Sequence, residues 1–129
     1  LIGGMALGLD MTLRDVQNEL KKKGHPWLAA KGFLHSAPIT GFRPFPGVRA
    51  LAERDFILLK NGEEAQRGNV SRMIFSLRDI IDFTAARFGL GPGDVIFTGT
   101  PEGVAPIADG DRLELVWGDE TWGSVRVKM

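Results

Sequence analysis

Five residues stand out for the chemistry their types and spacing could support. Asp10 ends the apolar run LIGGMALGL and precedes a helical pattern, which puts a carboxylate at the junction of an extended segment and a helix. On spacing alone such an acid is best read as a cap or strand end, and its sharper reading is an oxygen ligand for a hard divalent ion such as Mg2+. Arg14 and Gln17 lie three apart on one face of the following helix, opposite the apolar stripe of Leu13, Val16 and Leu20. A guanidinium can pair bidentately with a substrate carboxylate and a carboxamide can hydrogen-bond a carbonyl or enolate, although a solvated helix face has the same spacing. Lys31, in WLAAKGF, is flanked by apolar residues and followed by a glycine. A partly desolvated ammonium there would stabilise developing negative charge, whereas the pattern by itself fits a solvated lysine better. Thr98-Gly-Thr100-Pro101 forms a hydroxyl-bearing turn suited to holding an anion through backbone N–H groups, a common kind of loop. Neither His25 nor His35 has a partner at metal-ligand spacing, and no phosphate-binding, dinucleotide or nucleophile-elbow motif occurs.

The elements that must position these residues follow from pattern. Ile2 to Leu9 reads as a Gly-rich strand, and Thr12 reads as the N-cap of a helix from about Leu13 to Lys23 that stops at Gly24. One helical turn and a loop are expected over residues 26–33, then irregular, edge-like chain where Pro38, Pro44 and Pro46 fall. Phe56–Lys60, Asn61-Gly62 and Glu63–Arg67 predict a hairpin with a type I′ turn. Ser76 and Asp79 open a second helix with Leu77, Ile80, Ile81, Thr84 and Phe88 on its apolar side and Gly89 at its end. A short strand is expected at Val95–Phe97, and a second hairpin where Leu113, Leu115 and Trp117 precede Gly118-Asp119 and Trp122, Val125 and Val127 follow. Strands outnumber helices without regular alternation, so the fold class is α+β and mainly β.

Composition narrows the field. At 129 residues with 43% hydrophobic and 25% charged residues, the chain has the make-up of one ordinary globular domain, residues 1–129, without a linker or repeat. Sixteen Lys and Arg balance sixteen Asp and Glu, and the one basic run, Lys21-Lys22-Lys23, falls at a helix end where cations suit the dipole. No nucleic-acid footprint is expected. Apolar runs are shorter than the roughly 18–20 residues of a membrane span, so no membrane partner is expected. With no cysteine, disulfides and thiolate metal sites are excluded, and a cytoplasmic location is the default expectation.

The strings ALGLDMTLRDVQ, KKKGHPWLAAKGF, GNVSRMIFSLRDIIDF and GDVIFTGTPEGVAPI resemble, in order and approximate spacing, the C-terminal domain of the fumarylacetoacetate hydrolase superfamily. The second string most resembles its acylpyruvate hydrolase and oxaloacetate decarboxylase branch, which includes fumarylpyruvate hydrolases. This resemblance implies a rolled, β-barrel-like sheet with two short helices, a homodimer, and a Mg2+ or Mn2+ ion held by three carboxylates. It implies that Asp10 is one of those ligands. Arg14 and Gln17 match the family's substrate-contacting pair, Lys31 its catalytic lysine, and Thr100 its substrate-binding threonine. The family's Glu-x-Glu ligands and its water-activating His and Glu have no match among Glu19, Glu63, Glu64, His25 and His35. The expectation is therefore a chain, beginning at Leu1, that lacks the N-terminal portion of the domain.

The implied activity is hydrolysis of a C–C bond in acylpyruvates, 2,4-dioxo acids such as fumarylpyruvate or acetylpyruvate, with release of pyruvate. In that scheme the metal chelates the 1-carboxylate and 2-oxo group, Lys31 and Gln17 stabilise developing oxyanions, and Arg14 and Thr100 orient the substrate. Oxaloacetate decarboxylation and isomerisation of a 2-hydroxyhepta-2,4-diene-1,7-dioate-type acid use the same enolate. Outside enzymes, the alternative is a non-catalytic, β-rich interaction domain that has lost its metal site.

Overall fold

The computed structural model describes residues 2–129, so Leu1 of the expected 1–129 domain lies outside the described residues. Its centre is a four-stranded antiparallel sheet with strand order β4-β3-β5-β6. The strands are β3 (Phe56–Lys60), β4 (Glu63–Gly68), β5 (Arg112–Trp117) and β6 (Glu120–Arg126). Asn61 and Gly62, at φ 53° and 85°, form the predicted turn between β3 and β4. Asn61 also ties that turn to β5, since its Oδ1 accepts from Arg112 N at 2.9 Å and its Nδ2 donates to Asp111 Oδ1 at 2.8 Å. The second predicted hairpin is β5–β6, turning at Gly118, φ 62°.

Alternation along β5 builds the core. Leu113, Leu115 and Trp117 lie two apart, hence on one face, and bury against Leu7, Leu9 and Leu51. Leu7 and Leu9 belong to an extended N-terminal segment that contains the two-residue strand β1 (Gly4–Met5), paired antiparallel with β2 (Arg43–Pro44). Pairing continues irregularly through a Gly8–Ile39 bridge and through Leu9 N to Pro38 O (2.9 Å) and Met11 N to Ser36 O (2.8 Å). Prolines interrupt this ladder, so the predicted strand over residues 2–9 is short and broken. Leu51 arrives on α3 (Val48–Ala52), a five-residue helix inside the Pro-rich stretch that was expected to be irregular.

Two helices frame the N-terminal segment, α1 (Arg14–Lys22) and α2 (Leu28–Lys31). Thr12 does not cap α1. Leu13 occupies that position with no side-chain cap, because the Thr12 hydroxyl faces Lys31 instead. The helix α4 (Leu77–Phe88) has the expected capping box between Ser76 and Asp79 and ends at Gly89, φ 74°.

Two further expectations are corrected. Residues 95–97 form no strand, and Phe97 packs its ring on Gly8 instead: a Cβ on Gly8 would stand 2.8 Å from Phe97 Cε1. Nor is the sheet a closed barrel. Among the described residues the two-stranded and four-stranded sheets stay separate, with β4 and β6 as open edges. The architecture is mainly β with few short helices, and α2 and α3 bring the helices beyond the two expected.

Candidate active site

Asp10 stands two residues beyond Gly8 and one beyond buried Leu9, so period-two alternation turns it away from the core onto the face that Phe97 covers. Lys31, the last residue of α2, reaches the same place. α2 is anchored from below, where Ala30 is fully buried and its carbonyl accepts from Leu13 N at 3.0 Å. As a result Lys31 Nζ donates to Asp10 Oδ2 at 2.7 Å and to Thr12 Oγ1 at 2.7 Å. The two side chains are 33% and 50% exposed. An ion pair that wet adds about 0–1 kcal/mol to stability, so the fold does not depend on it. Its setting is the informative feature: Asp10 and Lys31 line a cavity of about 310 Å3 together with Ser36, Ala37 and Phe97. That volume suits a small organic molecule.

The other expected site residues are placed differently. Arg14 Nη1 donates to Gln17 Oε1 at 3.0 Å, so the pair expected from their spacing exists. Gln17, however, is the buried residue of α1: four residues from Leu13 and three from Leu20, it lies within the apolar stripe and not opposite it, beside half-buried Val16 and Leu20. Its burial is tolerated because the carboxamide oxygen accepts from the Arg14 guanidinium. Neither Arg14 nor Gln17 lines the cavity. Thr100 lies outside it too, its Oγ1 accepting from Gln66 Nε2 at 3.0 Å. Sequence reasoning missed Thr12, Ser36 and Phe97. Thr12 was read as a cap, and the only signal for Phe97 was the glycine at position 8, which leaves room for its ring.

A hard divalent ion takes about six oxygen ligands, usually several from carboxylates or water. Among the described residues no group of three His, Cys, Asp or Glu side chains could hold a metal ion. The one acid in the cavity, Asp10, is engaged by Lys31. These residues alone do not fit the Mg2+ or Mn2+ that the resemblance implies.

The architecture agrees with comparisons to known proteins. Residues 1–128 match the family described as fumarylacetoacetate (FAA) hydrolase C-terminal, and the chain belongs to that family. It is 46% identical over 113 residues to the mitochondrial oxaloacetate tautomerase of Homo sapiens, a match that spans 88% of this chain and 51% of that protein. An oxaloacetate tautomerase of Escherichia coli is 40% identical over 117 residues, 90% of this chain and 53% of the relative. The chain thus spans about half the length of the curated relatives it matches. Among solved structures, fumarylpyruvate hydrolase from Pseudomonas aeruginosa in complex with Mn2+ and pyruvate superposes with a TM-score of 0.87 at 38% identity, over 98% of this chain and 54% of that one.

Proposed function

We propose that this chain carries the lysine-centred part of a 2-oxo acid enzyme that works through an enolate, with keto–enol tautomerisation of oxaloacetate as its reaction. One observation carries the reading: Lys31 Nζ is held by Asp10 and Thr12 at the wall of a cavity sized for a small acid. A tautomerase moves one proton between the enol oxygen on C2 and the neighbouring carbon C3, so it needs a group that stabilises negative oxygen and an acid–base group. Lys31 supplies the first, its ammonium hydrogen-bonding the C2 oxygen as charge collects there. Asp10, bonded to that same ammonium, is the candidate to hold the proton in transit. Arg14, positioned by Gln17, and Thr100 lie outside the cavity, so they would meet only a part of the substrate that reaches beyond it. Relatives named as oxaloacetate tautomerases support this choice.

Hydrolysis of acylpyruvates to pyruvate is the second reading, favoured by the likeness to a fumarylpyruvate hydrolase bound to Mn2+ and pyruvate. It additionally requires an activated water, and neither histidine lines the cavity. A catalytic Mg2+ or Mn2+, a homodimer and the organisation of residues 1–129 as a single domain remain parts of the proposal. Any such ion would need ligands besides Asp10, which Lys31 engages here. The deciding assay follows the ultraviolet absorbance of enol-oxaloacetate and, in parallel, pyruvate release from oxaloacetate and from acetylpyruvate. Lys31→Gln should lower the tautomerisation rate by about 10²-fold or more, as loss of an acid–base or oxyanion group does. Pyruvate release from acetylpyruvate exceeding tautomerisation would favour the second reading, and a Lys31→Gln variant as active as the parent would end both.

A further inference from the structure

The turn Thr98-Gly-Thr100-Pro101 is held from β4 by Gln66, a residue that the proposed reaction leaves without a task. Gln66 Nε2 donates to Thr100 Oγ1 at 3.0 Å, to Pro101 O at 2.8 Å and to Glu102 O at 3.4 Å. Two of those acceptors are carbonyls, which cannot donate, so the amide must present its NH2 group and its orientation is fixed. The strand β4 is shaped for this contact. Leu58 pairs with Gln66 but Leu59 with Glu64, which makes Ala65 the extra residue of a β-bulge. The Ala65 carbonyl lies so close to Gly103, φ 97°, that no side chain fits there. A bulge on one side and a glycine on the other thus seat residues 100–103 against the strand.

This seat decides which way the Thr100 hydroxyl works. A hydroxyl has one hydrogen to give and lone pairs to accept with, and Thr100 accepts from Gln66. Among the described residues its hydrogen has one internal acceptor, Pro101 O at 3.5 Å, beyond the roughly 2.5–3.0 Å of an effective O–H···O bond. That carbonyl is also the one Gln66 occupies at shortest range. The hydrogen is left to point away from the loop as a donor, the polarity that a carboxylate needs. Phe97 lines the Lys31 cavity, and three residues of chain carry Thr100 at most about 11 Å further. We propose that Gln66 is a positioning residue: by taking the acceptor side of the Thr100 hydroxyl, it commits that hydroxyl to donate to the carboxylate of a substrate extending from the Lys31 cavity. The role rests on the enolate reading above for its substrate, while the coupling of Gln66 to Thr100 stands apart from it.

Acetate is the carboxylate probe, and the amide resonances of Gly99, Thr100 and Glu102 in the 129-residue chain are the readout. Acetate should shift them saturably. Thr100→Ser should bind it within about threefold of the parent and Thr100→Val about tenfold more weakly, as loss of a charge-assisted bond does. Gln66→Met should also weaken acetate about tenfold, yet add nothing in a Thr100→Val background, because it acts only through that hydroxyl. Lys31→Gln should leave these shifts unchanged. In the oxaloacetate assay Gln66→Met should raise KM about tenfold and keep kcat within about twofold, since Thr100 stands away from the reacting atoms. Should Gln66→Met misfold by circular dichroism, Gln66→Glu keeps the shape but accepts the Thr100 hydrogen, and its loss of acetate should be larger in the parent than in Thr100→Val. No saturable shift by about 50 mM acetate, or losses that simply add in the double variant, would overturn the proposal. So would an unchanged KM or a fall confined to kcat. A parent without oxaloacetate turnover would end the enolate reading, and the acetate cycle would still decide for or against Gln66.

Discussion

Lys31 donates to a carboxylate and a hydroxyl at once, and this double contact, rather than burial, fixes where its charge sits. The one-carboxylate character of the cavity has a direct consequence. Mg2+ titrated into the 129-residue chain should give no saturable heat at about millimolar concentration, because hard-cation sites need several oxygen ligands. Saturable binding abolished by Asp10→Asn would show that ligands had been overlooked. Elsewhere, single residues hold the fold. Asn69 Nδ2 donates to Ala52 O, Arg54 O and Asp55 Oδ1, while its Oδ1 accepts from Ser71 N. Asn69→Ala should cost about 1–3 kcal/mol by stranding those groups, read as a lower urea midpoint at constant slope. Hydrogen bonds also hold several carboxyls below their ordinary values: Asp55 through Asn69, Asp79 through Ser76, Asp111 through Asn61, and Glu64 through Arg67. A carboxyl with a lower pKa folded than unfolded stabilises above the unfolded value and loses that contribution as pH falls through the folded one. Urea midpoints should therefore be level near neutrality and fall below about pH 4, with Asp55→Asn flattening the decline. At this scale pattern alone favoured a cap or strand end for Asp10 and a solvated lysine at 31, and only the family resemblance set the two in one site. The depth of Gln17 was not legible, because periodicity counts a glutamine as polar whatever bonds it makes.

Local chemistry was the more readable the more it rested on the backbone itself. Asn61-Gly62 dictated its hairpin because few other residue pairs tolerate two positive φ values, and the Ser76–Asp79 box began α4 where expected. Ser76→Ala should cost about 1 kcal/mol and shift the denaturation midpoint without touching the Lys31 cavity. Elements shaped by what crosses them were hidden. α3 has no cap or stripe to announce it, and residues 95–97 have strand composition but no strand to pair with. The Phe97–Gly8 contact is where this matters for function. Gly8→Val would push Phe97 off the cavity wall, and it should weaken ligand binding there while leaving the β3–β6 sheet signals unchanged in amide spectra.

Across the whole molecule the surface is unusually large. A folded monomer of 14.1 kDa exposes about 6,700 Å2 by the mass scaling, against 9231 Å2 here. Ile74, Phe75, Phe83 and Phe88 contribute, and α4 has no buried residue. Such a surface should bind a hydrophobic dye or drive concentration-dependent association, which dye fluorescence and sedimentation of the 129-residue chain will reveal; inert monomers would contradict this. The mainly β class was legible from strand patterns, whereas openness of the sheet was not, since closure depends on edges that pattern does not describe. Among the described residues no helix is long and apolar enough to cross a membrane.

The most direct measurement is an amide NMR titration with oxalate, a stable mimic of the pyruvate enolate, on the parent chain and on Lys31→Gln. If the cavity stabilises enolate charge, resonances of Asp10, Lys31, Ser36 and Phe97 shift together and saturate in the parent and stay still in the variant. Shifts that are absent, lie outside this cavity, or persist without Lys31 would contradict it.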